Sequence, residues 1–151
     1  LKLALNETMK IETGNAHDAE TKGTGWFVGF SDWTRKEGSA LLHVPKGDAL
    51  TALCVKWYDH PSGDDSGNLK PVSEGRSLSI LVSEDSAFRI EFSPTPDFLS
   101  GEVQTVLLER HGDFAAWGEG LYHRWHCLSR ATVLTIRWNP ATAAAKDETS
   151  A

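Results

Sequence analysis

Apolar residues along the chain fall in short runs separated by Gly, Pro, Asp and Ser, and none holds a 3.6-residue period over several turns. The runs are rich in Val, Ile, Leu, Thr and aromatics, the composition of a pleated, half-buried surface. They predict strands at WFVGF (26–30), ALLHV (40–44), LTALCVKWY (50–58), RSLSILV (76–82), AFRIEF (87–92), EVQTVLLE (102–109), DFAAW (113–117), LYHRWHC (121–127) and TVLTIRW (132–138). Turn signals divide them at Lys46-Gly47-Asp48, Ser83-Glu84-Asp85 and His111-Gly112-Asp113. Short strands at this spacing predict an all-β sandwich or barrel.

Three stretches depart from that rhythm. Residues 61–75, PSGDDSGNLKPVSEG, are polar and read as a long mobile loop over a pocket mouth. Residues 93–100 form a Pro-bounded connection, and the stretch after Trp138 has no apolar face to bury. One helical turn is expected within 9–22, MKIETGNAHDAETK. The organisation that follows is an N-terminal arm (1–24), a single barrel (25–138) and a flexible tail (139–151).

Composition narrows the function. The chain has 151 residues, 40% hydrophobic and 24% charged, which suits one globular domain. Its net charge is -6 and no Lys/Arg cluster exceeds a pair, which argues against a nucleic-acid footprint or a basic membrane patch. No apolar run approaches the roughly 18 residues of a membrane helix. LKLALNETMK, with no initiator Met, reads as a processed start rather than a secretory signal, and Asn6-Glu7-Thr8 as a chance sequon. Cys54 and Cys127 stand far apart with no CxxC, which points to a reduced, cytoplasmic compartment. A small-molecule ligand is the expected partner.

The densest chemistry lies in HGDFAAWGEGLYHRWHC, His111 to Cys127. Strand alternation puts His123, Trp125 and Cys127 on one face and Tyr122, Arg124 and His126 on the other. From Gly112 the spacing is G-x5-G-x-G-x2-H-x3-C. It resembles the second motif of the cupin superfamily, G-x5-P-x-G-x2-H-x3-N, with Gly118 for Pro and Cys127 for Asn. The resemblance extends from Trp26 to Trp138 and implies a single-domain cupin-type jelly-roll β-barrel, homodimeric by analogy with the family.

The family's first motif, G-x5-H-x-H-x3,4-E-x6-G, is degraded here. Its counterpart starts near His60, with Ser62 in place of the second His, Glu74 ahead of the next strand, and Ser83 where a turn glycine belongs. His60 and His123 are therefore the candidate acid/base residues or metal ligands, with Cys127 as a third metal ligand and Zn, Fe, Ni or Mn as the candidate metal; no cofactor is the alternative. Both cysteines also suit a small buried core position. Cys54, Lys56, Tyr58 and His60 share one strand face, and an inward Lys56 would stabilise developing negative charge. Trp57, Tyr58, Trp117 and Trp125 are candidate pocket walls, and Arg76 and Arg137 candidate anion partners. Two functions stand side by side. One is a cupin-type enzyme of isomerase, cyclase, lyase or oxygenase type acting on an anionic or enolisable substrate. The other is a metal-free, non-catalytic binding or dimerisation module.

Overall fold

The computed structural model describes residues 10–29, 41–44, 47, 49–68 and 71–140. Among them the chain forms eight strands: β1 (Ile11–Asn15), β2 (Leu50–His60), β3 (Arg76–Leu81), β4 (Ala87–Ser93), β5 (Gln104–Leu108), β6 (Asp113–Trp117), β7 (Tyr122–Ser129) and β8 (Ala131–Pro140). No described residue is helical, and none belongs to a helix long and apolar enough to cross a membrane. Two antiparallel sheets result, one in the order β1-β6-β3-β8-β2 and one in the order β5-β4-β7.

That order comes from a single folding-back of the chain. Trp57 pairs with Leu134, Ser79 with Ala115 and Ile90 with Val106. All three pairs straddle the same turn around Asp97, so the strands are arms of one long hairpin. Pairing of β3 with β8 and of β4 with β7 then rolls the hairpin up, which is a jelly roll.

Residues 61–75 are expected as a mobile loop; those described, 61–68 and 71–75, instead hydrogen-bond along the outer edge of β7. Gly63 N–H donates to the Cys127 carbonyl (2.8 Å), Ser66 N–H to Trp125 (3.1 Å) and Ser73 N–H to Leu121 (2.8 Å). Cys127 N–H returns a bond to Asp64 (2.7 Å) and His123 N–H one to Pro71 (3.2 Å). Turn residues conceal this pairing in the sequence, because the segment bends between its contacts with β7 and gives isolated bridges at Asp65 and Val72.

The helical turn expected in 9–22 is likewise replaced by β1, which pairs with β6 from Ile11·Trp117 to Asn15·Asp113. Ile, Thr and Gly in IETGN are weak helix formers, and the open edge of β6 supplies the ladder. No strand forms at 26–29 or 41–44; Gly29 and His43 make one parallel bridge. Phe30 and Ala40, which complete those two expected strands, lie outside the described residues. The apolar character of both stretches serves packing instead: Leu41, Leu42 and Val44 are buried with Phe27 and Val28 against Leu78, Phe114, Ala116 and Trp138. The five-stranded sheet is thus covered on its outer side, while Phe88, Ile90, Phe92, Trp117, Leu121 and Val133 fill the inside. β6 lies between the two cores, which is why DFAAW is apolar on both faces. β8 runs to Pro140, into the expected tail, and residues 141–151 lie outside the described residues.

Gly112 of the family-like motif has φ +92°, and a Cβ there would stand 2.8 Å from the His17 ring and 3.1 Å from Asn15 Oδ1. Asn15 ties this corner together, donating through Nδ2 to the His111 carbonyl (3.1 Å) and to Asp113 Oδ1 (2.9 Å).

Candidate functional site

Registration of the two sheets settles which side chains face inward. The five-stranded sheet contributes Lys56, Ser79, Trp117, Thr135 and Arg137, a polar wall; β4 and β7 contribute Phe88, Ile90, Trp125 and His123, a largely aromatic one. With His60 and Val133 they enclose a narrow cavity of about 50 Å³. Sites for drug-sized ligands run to roughly 300 Å³ and above, so this cavity suits a molecule of a few heavy atoms.

Its electrostatics are one-sided. Lys56 and Arg137 both line the cavity and no carboxylate does. Lys56 pairs with Thr135 and Cys54 with Arg137, so the two cations are diagonal neighbours on adjacent strands, an arrangement unfavourable without a counter-ion. Neither takes part in an ion pair among the described residues. Arg137 Nε donates a long bond to Ser77 Oγ (3.4 Å), and Ser79 and Thr135 share a hydroxyl bond of 2.7 Å.

His123 sits 9% exposed opposite these cations. Burial, then the positive charges of Arg137 and Lys56, push its pKa down to about 4, so it is neutral at pH 7. Its Nδ1 and the Trp117 Nε1 are buried without a protein partner. Trp117 packs beside it with ring centroids 5.4 Å apart. Each orphaned group has a hydrogen bond to offer a ligand.

His60, 4% exposed, closes β2. Its Nδ1 lies 2.8 Å from Asp64 Oδ2. A carboxylate accepts, so Nδ1 is the donor, and in the neutral ring Nε2 then has the lone pair. Tyr58, Phe88 and Trp125 hold the ring, with centroids 4.5, 4.8 and 4.5 Å away. Asp64 was not singled out in the sequence; the only trace of it there is the i, i+4 spacing in HPSGD.

Other expected site residues lie elsewhere. Trp57 has the opposite parity from Lys56 and is 62% exposed on the outer face, so it is not a pocket wall. Tyr58 touches His60 at the rim but does not line the cavity, and neither does Arg76 at the start of β3. Cys54 is exposed, unlike a core cysteine, whereas Cys127 is fully buried.

The residues present do not fit a metal. Cys127 Sγ donates to the Ser129 carbonyl (3.2 Å) and burial raises the thiol pKa, so it presents no thiolate to a metal. Among the described residues no three His, Cys, Asp or Glu side chains converge as a metal site requires.

No family model matches the chain, and no curated protein matches it. Among solved structures, Streptomyces albus HEPD with its substrate 2-hydroxyethylphosphonate and Fe(II) bound is similar over 66% of this chain and 21% of its own, at 16% identity and a TM-score of 0.48. The chain therefore spans about one fifth of that enzyme's length. A cupin domain from Bordetella pertussis Tohama I is similar over 61% of this chain and 91% of its own, at 14% identity and a TM-score of 0.41. By its own strand order and pairing, the chain has a jelly-roll fold of two antiparallel sheets.

Proposed function

We propose that the barrel binds a small organic anion and moves a proton on it, as an acid–base enzyme of isomerase or lyase type with an enolisable substrate. The observation that carries this reading is the pair Lys56 and Arg137, facing a neutral His123 in a cavity that no carboxylate lines. His60 is the proton acceptor: its Nε2 takes a proton from carbon next to a carbonyl, and Asp64 stabilises the imidazolium. Lys56 and Arg137 hold the enolate oxygen, and return of the proton to a neighbouring carbon completes an isomerisation. His123, neutral and orphaned at Nδ1, orients the ligand through a hydrogen bond. Two free thiols, one of them exposed, support a reduced cytoplasmic setting.

Calorimetric titration with small carboxylates and phosphonates tests the binding step. Arg137→Gln and Lys56→Met should each weaken binding at least about tenfold, the order expected for loss of one charge-assisted bond. NMR in D2O tests the chemistry: a bound 2-oxo acid should exchange the C3 hydrogens next to its ketone, and His60→Gln should stop the exchange while binding persists. Binding without exchange would leave the barrel a non-catalytic module. Failure of every small anion to bind, or binding indifferent to Arg137→Gln, would refute the site.

A further inference from the structure

We infer that His17 and His111 form a binding site for a divalent transition-metal ion, Cu(II) or Ni(II) by preference, on the outside of the barrel. His17 follows β1 and His111 sits in the turn between β5 and β6, 94 residues further along the chain. Their ring nitrogens, Nε2 of His17 and Nδ1 of His111, lie 3.0 Å apart. Both side chains are exposed, so burial does not force the rings together. Neither lines the cavity of Lys56, Arg137 and His123.

A buried frame sets the pair. Asn15, 8% exposed, accepts from the His17 backbone N–H through Oδ1 (2.8 Å) and donates through Nδ2 to the His111 carbonyl (3.1 Å), so one side chain fixes both backbones. Ala16 N–H adds a bond to the Gly112 carbonyl (2.9 Å). Gly112 also leaves the room, since any Cβ there would press on the His17 ring. Two imidazoles already held on one frame lose little freedom when they share an ion.

The spacing selects the metal. Bonds of about 2.1 Å from one ion to two imidazoles leave the nitrogens about 3.0 Å apart at a right angle and about 3.4 Å apart at the tetrahedral angle. The 3.0 Å found here matches the right angle, which suits tetragonal Cu(II) and Ni(II) better than four-coordinate Zn(II). In the neutral pair one nitrogen donates to the other. For both to bind, that proton shifts to the far nitrogen of its own ring, and the exposed rings turn until their lone pairs meet beside the line joining them. Glu84, Asp85 and Glu109 line the same open hollow of about 410 Å³, and none takes part in an ion pair among the described residues. Arg110, which lines it too, is paired with Asp18 at 2.8 Å. No third ligand stands in coordinating position among the described residues, so water completes the sphere and the carboxylates draw the cation in.

Calorimetric titration of the full chain with NiCl2 is the test, in a Cys54→Ser background that removes the exposed thiol. One Ni(II) should bind per chain, whereas MgCl2, whose hard ion prefers oxygen ligands, should give no heat. His17→Gln and His111→Gln should each weaken Ni(II) binding at least about tenfold with an unchanged far-ultraviolet spectrum, since loss of a ligand costs no less than loss of its outer support. Substoichiometric CuCl2 should broaden the amide NMR signals of residues 15–18 and 109–113 before those of Lys56 and Arg137 in the barrel. Binding that either variant leaves intact, or broadening centred on His43 or His126, would make the ion an adventitious one on another histidine and overturn the inference. So would the absence of binding up to millimolar NiCl2.

Discussion

His123 shows how much one residue's surroundings decide. As a strand histidine in a familiar spacing it reads as an acid/base or a ligand; in place, burial and two facing cations hold it neutral, with a pKa of about 4. Because part of that depression comes from Arg137, Arg137→Gln should raise the His123 pKa, and a bound anion should raise it too, by screening the same charge. An NMR titration of the imidazole Cε1 proton reads both shifts. An unchanged pKa in Arg137→Gln would mean that the guanidinium does not face the ring. His60 has different neighbours: Asp64 Oδ2 lies 2.8 Å from its Nδ1, and Tyr58, Phe88 and Trp125 pack on the ring. Alternation placed both histidines correctly on their strands; it could not supply Asp64, which reaches His60 from a bend with no strand period of its own.

At the scale of elements, β2 to β8 all fall in apolar runs that the sequence marks as strands, whether one face is wet, both or neither; β1 and the segment after β2 carry no such run. β4 and β7 alternate as the sequence predicts, with Phe88, Ile90 and Phe92 inward and His123, Trp125 and Cys127 on one side. Residues 61–75 look like a loop in the sequence because Gly, Pro and Asp are turn formers wherever they occur, while the described residues among them are held by side chains anchored elsewhere. Ser73, 3% exposed, donates its hydroxyl to the Gly118 carbonyl (2.7 Å) and accepts from Leu121 N–H (3.0 Å). Ser73→Ala leaves both backbone groups buried and unpaired, so it should destabilise the fold by about 2–3 kcal/mol, measured by urea unfolding. It should also speed amide exchange at Leu121 and His123, since it loosens the strand-like segment that pairs with β7. A loss within experimental error would show that the segment is held by its backbone bonds alone.

For the whole molecule, fold and site pull in opposite directions across the acid range. The unfolded chain gives His123 an ordinary pKa near 6.5, whereas the native barrel holds it at about 4. As pH falls from 6.5 towards 4, the unfolded state binds a proton that the folded state refuses, so native stability declines. The shift corresponds to roughly 3 kcal/mol between pH 7 and pH 4, with most of the loss falling in that window. Asp113 extends the trend below it: burial alone would raise its pKa, but hydrogen bonds from Asn15 and from the Arg110 and Glu109 amides lower it, and protonation at still lower pH gives up those contacts. Ligand binding should run the other way. An anion held by Lys56 and Arg137 favours protonated His123, so affinity should rise as pH falls through the same interval, until the ligand itself becomes neutral. His123→Gln removes the titrating group, and should both flatten the stability profile between pH 6.5 and 4 and abolish the gain in affinity. Urea midpoints and calorimetric affinities measured at matched pH values decide it. A stability slope that survives His123→Gln would assign the acid sensitivity to other groups and detach it from the pocket.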